Sequence, residues 1–529
     1  MMEHHEYLVL GAGPAGLQAS FFLKQNGRDY LVLERGGQAG TFFATFPRHR
    51  KLISINKVYT GHDDPELNLR WDWNSLLSNH EGPLFKDFSQ NYFPHADTMG
   101  AYLAEFTRQH ALQVQYGVDV TRIQRNGHFE LTTAEGKTYT CDKLIVATGV
   151  SRENTPDIPG VELADRYGAI DLDTTAFRNK RVLILGKGNS AFETADHLME
   201  SAALLHLVSP RPIRMAWRTH FVGDLRAVNN NLLDTYQLKM QNAVLDANVL
   251  GINRVGDQYE VTFQYSHAGG EVETLRYDRV ILCTGFKFDN TLFDEACRPA
   301  MTVCRRFPMQ TSEWESVNVP GLFFAGTIMQ MRDLKKYMSG FIHGFRYNIR
   351  ALSRLLEARY HGKPWPISRT VSGPEEITQW LLDRINGTSS LWQQPGFLCD
   401  VLELTGPERG VGREEFPVDY TREHLARQGA ELLVLTLEFG QSAGADPFAS
   451  ERIHRADVNR AKESAFLHPI IRHFVDGRVV AEHHIIEDLA AEWREPEHLE
   501  PLREFIQKVL QRAVPPSLPI PRPAAALSY

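Results

Sequence analysis

Apolar positions in this chain recur in two spacings. Tyr7 to Leu10 is an unbroken apolar run, the pattern of a strand buried on both faces. After the glycine-rich turn Gly11 to Gly16, "LQASFFLKQNG" (Leu17 to Gly27) repeats apolar residues at helical spacing and stops at a glycine. The next apolar run, "DYLVLE", closes on the acid Glu34. The same succession returns in "KRVLILGKGNSAFETADHLM", Lys180 to Met199, followed by "LLHLVS", Leu204 to Ser209. Two later runs also end alike: "DKLIVATG", Asp142 to Gly149, and "DRVILCTG", Asp278 to Gly285. Strands alternating with helices predict an α/β fold, and the internal repeat predicts two Rossmann-like dinucleotide-binding lobes. Toward the C-terminus the pattern changes. "ELLVLTLEFG" reads as a strand, "IIRHFVDGRVVAEHH" as a hairpin around Asp476-Gly477, and "EPLREFIQKVLQ" as a helix before a proline-rich end.

The turn chemistry assigns a ligand to each lobe. Gly11 permits the tight turn, Gly13 lets a pyrophosphate approach the backbone, and Gly16 lets helix and strand pack closely. Glu34, at the end of the next strand, is placed to accept hydrogen bonds from a ribose. The second turn has Gly186 and Gly188 with Ala191 in the third place. Gly11 to Glu34 spans 23 positions, and 23 on from Gly186 stands Ser209, followed by Arg211 and Arg214. Arginines there accommodate a 2′-phosphate where an acid would repel it, so the second ligand reads as NADPH rather than NADH. The alternative is that both arginines are solvated surface charges. One loop then holds FAD and the other the donor that reduces it.

Composition narrows the partners. A chain of 529 residues supports roughly two to four domains. With 43% hydrophobic and 23% charged residues, it has the make-up of a globular protein. A formal net charge of −8 without a basic block argues against nucleic acid or an anionic membrane as partner. The opening "MMEHHEYLVLGAG" lacks the basic and apolar parts of a signal peptide, and no apolar run approaches the ~20 residues that span a bilayer. The five cysteines include no C-x-x-C pair; Cys297 and Cys304 lie seven positions apart. A cytoplasmic location is the expectation.

The two turns, the two Thr-Gly strands and "VPGLFFAG" (Val319 to Gly326) resemble the two-dinucleotide-binding-domain flavoproteins. Within that superfamily, "ERGGQAGTFF" and "FPHADTMGAYLAEF" resemble the class B flavin monooxygenases rather than the disulfide reductases. "THFVGDLRAVNNNLLDTYQLK", "LNLRWDWNSLL" and "SGFIHGFRYN" are similar to ERFAD-type FAD-dependent oxidoreductase-domain flavoproteins. Those are proteins of the endoplasmic reticulum implicated in protein degradation. That location is not carried over, because the chain shows no signal peptide and ends "AAALSY". The monooxygenase linker signature F-x-G-x-x-x-H is also incomplete, with Gly168 present but Leu172 in the histidine's place.

The resemblance implies a discontinuous FAD domain at 1–165 and 295–365, an NADPH domain at 170–290, and a C-terminal α+β extension at 370–529. Candidate FAD contacts are Gly11, Gly13, Gly16, Glu34, Arg35, Gly40, Thr41, Val120, Thr148, Gly149, Gly326, Gly340 and His343. Candidate NADPH contacts are Gly186, Gly188, Asn189, Ser190, Ser209, Arg211, Arg214, Thr284 and Gly285. His343, Arg346 and Arg226 are the candidate catalytic residues, with a backbone-satisfied buried histidine as the alternative for His343. Arg218 and Asp224 are further contact candidates, with surface ion pairing as the alternative. Trp71 and Trp73 read as flavin cover or as core. His468, His473, His483 and His484 match no ligand spacing, and no metal is expected. The implied activity is monooxygenation through a C4a-peroxyflavin, by Baeyer–Villiger or nitrogen and sulfur oxygenation. Its partners are molecular oxygen and a small-molecule or carrier-bound substrate. The alternatives are a flavoprotein scaffold that binds a protein partner and an NADPH-dependent reductase without oxygen transfer. A homodimer is left open.

Overall fold

The first apolar run forms the buried end of strand Glu3–Leu10, which pairs in parallel with Tyr30–Leu33 on one side and Thr138–Val146 on the other. This computed structural model describes residues 3–239, 242–406, 408–440 and 449–511. The first sheet runs in the order Val114–Gln115, Tyr30–Leu33, Glu3–Leu10, Thr138–Val146, His128–Thr133, Val120–Asn126. Leu322–Phe324 returns from much later in the chain to pair in parallel with Thr138–Val146, Phe323 opposite Ile145. Leu8, Leu10, Leu144, Val146, Leu322 and Phe324 form the shared core, so this lobe is built from two separate stretches of sequence.

The second sheet repeats the plan. Its order is Val272–Tyr277, Gln258–Tyr265, Ala243–Val255, Leu204–Ser209, Arg181–Leu185, Arg279–Leu282, Asp165–Arg166. The last of these strands begins before residue 170, so the second lobe draws on the linker as well as the segment expected for it. A short antiparallel ribbon, Phe286–Lys287 with Arg152–Glu153, lies where the chain passes between lobes.

The chain divides into two units, Met1–Ser353 and Arg354–Tyr529, a boundary that falls inside helix Ile342–His361. The second unit is a six-stranded antiparallel sheet in the order Arg369–Ser372, Arg409–Pro417, Leu398–Gly406, Glu431–Glu438, His468–Val475, Arg478–His484. Helices Gly373–Gly387 and Pro496–Leu510 bury Trp380, Ile385, Leu502 and Ile506 with Leu433, Leu435 and Ile471 of the sheet. The hairpin turns at Asp476 and Gly477, both at positive φ, as two-residue hairpin turns demand. Among the described residues, no helix is long and apolar enough to cross a membrane.

Candidate functional site

The two glycine turns differ internally in a way that separates packing from binding. At Gly16 a Cβ would stand 1.8 Å from the Gly11 carbonyl oxygen, and at Gly11, with φ +104°, 2.9 Å from that of Ala147. At Gly13 it would meet nothing within 4 Å. Helix Pro14–Gln25 opens there with no side-chain cap and no acid in its first turn, so its free N–H groups and positive dipole end face that open space. The second turn repeats this. Gly186, at φ +131°, would press a Cβ 2.2 Å from the Cys283 carbonyl oxygen, whereas Gly188 would meet nothing within 4 Å. Both lobes thus present an anion-sized opening at a helix N-terminus.

Around the first turn, the Glu34 carboxylate accepts from the Ala12 and Gly36 N–H groups, each at 2.7 Å. Its remaining lone pairs are available to hydroxyls. Gly40 donates its N–H to the Ala12 carbonyl at 2.9 Å and caps helix Thr41–Thr45 at φ +68°, while Arg35 is exposed. The Thr41 hydroxyl donates to Gln38 O at 2.9 Å. Thr148 lies against Gly11, Gly149 is left-handed, and Gly326, also left-handed, backs onto Ala15. Gly340 accepts from the Thr327 hydroxyl at 3.2 Å. The Val120 side chain is buried in the lobe's core, which leaves its backbone to meet a ligand.

At the second turn, Ser190, Thr284 and Gly285 line a narrow cleft with Glu153, Asn154 and Tyr167. Asn189 is occupied otherwise. Its Oδ1 accepts from the Arg226 backbone N–H and the Asn229 amide, both at 3.0 Å, and its Nδ2 donates to Asp224 O at 2.9 Å. The side chain therefore pins the 223–229 loop to the helix start. Ser209 ends its strand and donates to Arg211 O at 3.2 Å. Arg211 and Arg218 are exposed. Arg214 pairs with the buried Asp224 at 3.3 Å, and Thr219 donates to the same carboxylate at 2.8 Å.

Three neighbours went unread in the sequence. Asp246 stands beside Ser209 in the adjacent strand, with Lys187 and His267 both bonded to its carboxylate. Desolvation and, against the pull of Asp224, the charges of Arg306, Arg214 and Arg211 lower the Lys335 ammonium. Arg306 Nη2 lies 3.0 Å from where a Cβ on Gly285 would stand. Cations from the return segment thus join those of the lobe itself, which no local spacing reveals.

Between the lobes, the fully buried His343 stacks on Trp73, with ring centroids 4.6 Å apart, and lies parallel to Phe341 at 5.8 Å. Arg226 covers the other ring, its guanidinium 5.2 Å from the Trp73 centroid, and donates to Ile53 O at 2.8 Å. Burial first, then the charges of Arg346 and Arg226, hold the His343 imidazole well below its usual range, so it is neutral at pH 7. Its Nδ1 is buried with no hydrogen-bond partner. Arg346 does not bond to it. The Arg346 guanidinium donates to Ser75 O at 2.7 Å, Leu69 O at 2.8 Å and the Tyr347 hydroxyl at 3.1 Å, so it clamps the segment bearing Trp73 to the helix bearing His343. Trp71 stacks instead on His62.

Of the four C-terminal histidines, His468 and His484 bond each other at 2.8 Å, whereas His473 bonds Glu431 at 2.7 Å and His483 stacks on Phe505. A further acid is perturbed beside the second turn, where burial pushes Glu193 up to about 7. Its unfolded counterpart ionises near the ordinary glutamate value, so folding is penalised increasingly as pH rises between the two values and fully above the higher one. Glu193→Gln keeps an acceptor for the Asn229 amide that bonds Glu193. It is expected to match wild type below pH 4 in urea denaturation and to exceed it by about 2–3 kcal/mol at pH 8.

A sequence profile described as pyridine nucleotide-disulphide oxidoreductase matches residues 8–326. The chain is 38% identical to the FAD-dependent oxidoreductase domain-containing protein 2 of Danio rerio over 96% of its own length and 83% of the relative's, and 38% identical to that of Mus musculus over 96% and 84%. Its fold resembles a flavin-containing monooxygenase from Stenotrophomonas maltophilia, with TM-score 0.51, 19% identity and coverage of 68% of this chain and 99% of that one. It equally resembles a bacillithiol disulfide reductase from Bacillus cereus, with TM-score 0.51, 20% identity and coverage of 68% and 100%.

Proposed function

Because the chain belongs to the pyridine nucleotide-disulphide oxidoreductase family of flavoproteins, we propose that it is an NADPH-dependent flavin monooxygenase acting on a small metabolite, free or carrier-bound. The observation that carries the reading is the buried, neutral His343 stacked on Trp73, with the Arg226 guanidinium over the same indole, in a unit that also carries two open dinucleotide turns. FAD held there would supply the redox chemistry, linking oxidation of NADPH to reduction of molecular oxygen so that one oxygen atom goes to a carbonyl, nitrogen or sulfur centre and the other leaves as water.

This chain's residues supply the setting. The turn at Gly11 to Gly16 and the N-terminus of helix Pro14–Gln25 hold the FAD pyrophosphate, and Glu34 the ribose. The turn at Gly186 to Gly188 holds the second dinucleotide, with Arg211 on its 2′-phosphate. His343 directs its unpartnered nitrogen as a hydrogen-bond group, and Trp73 and Phe341 exclude the water that would divert reduced oxygen to peroxide. A disulfide reductase would need an exchanging thiol pair. Among the described cysteines, Cys141, Cys283, Cys297 and Cys399 are buried and only Cys304 is exposed. Cys297 donates its S–H to Ile123 O at 3.2 Å.

The test supplies NADPH, oxygen and panels of ketones, amines and thioethers, then compares NADPH consumed with product gaining one oxygen atom. NADPH oxidation that yields only hydrogen peroxide with every panel would overturn oxygen transfer. Arg211→Ala is expected to reduce the NADPH-over-NADH preference in flavin reduction about tenfold or more, since a charge-assisted phosphate contact is worth roughly 1.5–3 kcal/mol. An unchanged ratio would remove Arg211 from the phosphate site.

A further inference from the structure

The first sheet brings together three residues that lie far apart in sequence and that the oxidoreductase reading leaves unused. His4, His128 and Asp142 stand on strands Glu3–Leu10, His128–Thr133 and Thr138–Val146, the last lying between the other two. The antiparallel register that pairs Phe129 with Cys141 sets His128 opposite Asp142. The parallel register pairs His4 with Thr140, two residues from Asp142 and so on the same face of the sheet. His128 Nδ1 lies 2.6 Å from Asp142 Oδ1, and His4 Nε2 lies 3.9 Å from the same oxygen. Among the described residues, this is the one group of three or more His, Cys, Asp or Glu side chains whose ligand atoms all approach within 4.8 Å of one another.

The geometry points to a divalent transition-metal site, with zinc as the fitting ion, ligated by His4, His128 and Asp142. Imidazole and carboxylate are the ligand types this ion takes, and an exposed three-ligand site leaves a position for water. Zinc bonds of ~2.0–2.2 Å in a tetrahedral arrangement separate ligand atoms by roughly 3.3–3.5 Å. The His128–Asp142 pair therefore opens and the His4–Asp142 pair closes, each by less than about 1 Å, and the two imidazole nitrogens, within 4.8 Å of each other, close by at most about 1.5 Å, which side-chain rotation supplies at side chains 38% to 59% exposed. The ion takes the place of the direct contact between His128 and Asp142. His4 Nδ1 meets the Thr140 hydroxyl at 3.0 Å, the kind of outer hydrogen bond that fixes a ligating histidine and leaves its Nε2 for the metal. His5 points to the other face, where Asp29 and Glu3 hold it at 2.9 and 3.3 Å, so it is not a ligand.

Because all three ligands sit on paired strands, the site exists only in the folded chain, and zinc should stabilise it by mass action. The experiment uses untagged, chelator-treated whole protein, titrated with zinc chloride against a chromophoric chelator and with cobalt for its visible absorption. Wild type is expected to bind one ion per chain and to melt at a higher temperature with zinc. His128→Ala and Asp142→Asn should each weaken binding at least about tenfold and abolish the thermal shift, while His5→Ala behaves as wild type. Far-ultraviolet circular dichroism checks each variant's fold, and His4→Ala substitutes for any variant that fails it. Absence of saturable one-to-one binding in wild type, or wild-type affinity in the folded ligand variants, would overturn the site.

Discussion

Gly13→Leu is expected to yield a folded but colourless protein. A Cβ at this position meets no protein atom within 4 Å, and the backbone is extended at φ −78°, so the residue can carry a side chain without backbone strain. It does fill the opening at the N-terminus of helix Pro14–Gln25. Each hydrogen bond from that backbone to a charged phosphate is worth roughly 1.5–3 kcal/mol, so displacing two weakens FAD binding by about a hundredfold to ten-thousandfold. Gly16→Leu makes the control of opposite kind. Its Cβ collides with the Gly11 carbonyl, so it should lose the fold itself and appear insoluble or with depressed melting. Flavin absorption after reconstitution, read beside circular dichroism, separates the two outcomes. A yellow Gly13→Leu protein would contradict the assignment of that opening to the pyrophosphate.

Arg346→Met is expected to destabilise the first unit by roughly 2–5 kcal/mol, because it strands the Leu69 and Ser75 carbonyls in a fully buried setting. Arg346→Lys should recover little, since an ammonium cannot span two acceptors as the planar fork does. Urea unfolding measures the loss. If Arg346 were instead a group acting on bound ligand, the variant would keep its stability and lose only turnover.

These expectations draw on different depths of the sequence. The two turns were legible because a strand, a glycine spacing and a helix start are local patterns, readable within 3–34 and 180–209 even though distant strands pack beside them. The C-terminal strand, hairpin and helix were legible for the same reason. The site's other members were not. Trp73 reads equally as core or cover until His343, on a helix far along the chain, is stacked upon it. Asn189 stands where a cofactor contact belongs, yet its amide is consumed by the 223–229 loop. Val120 shares a strand with exposed residues but turns its side chain into the core. Asp246, Arg306 and Lys335 reach the second turn only through sheet pairing and the returning segment. His4, His128 and Asp142 follow no motif because a sheet register, not a spacing, assembles them.

The late return of Leu322–Phe324 to strand Thr138–Val146 sets a timetable for the chain's birth. About 175 residues lie between the two strands. At translation speeds of about 5–20 residues per second, the ribosome needs roughly ten to thirty-five seconds to supply the missing neighbour. Throughout that interval Leu144, Ile145 and Val146 offer an unpaired apolar edge, while the inserted second lobe has its last strand as soon as Arg279–Leu282 emerges. The guest lobe can close before its host, and the waiting edge is where a nascent-chain chaperone would be drawn or a neighbouring polypeptide would wrongly attach.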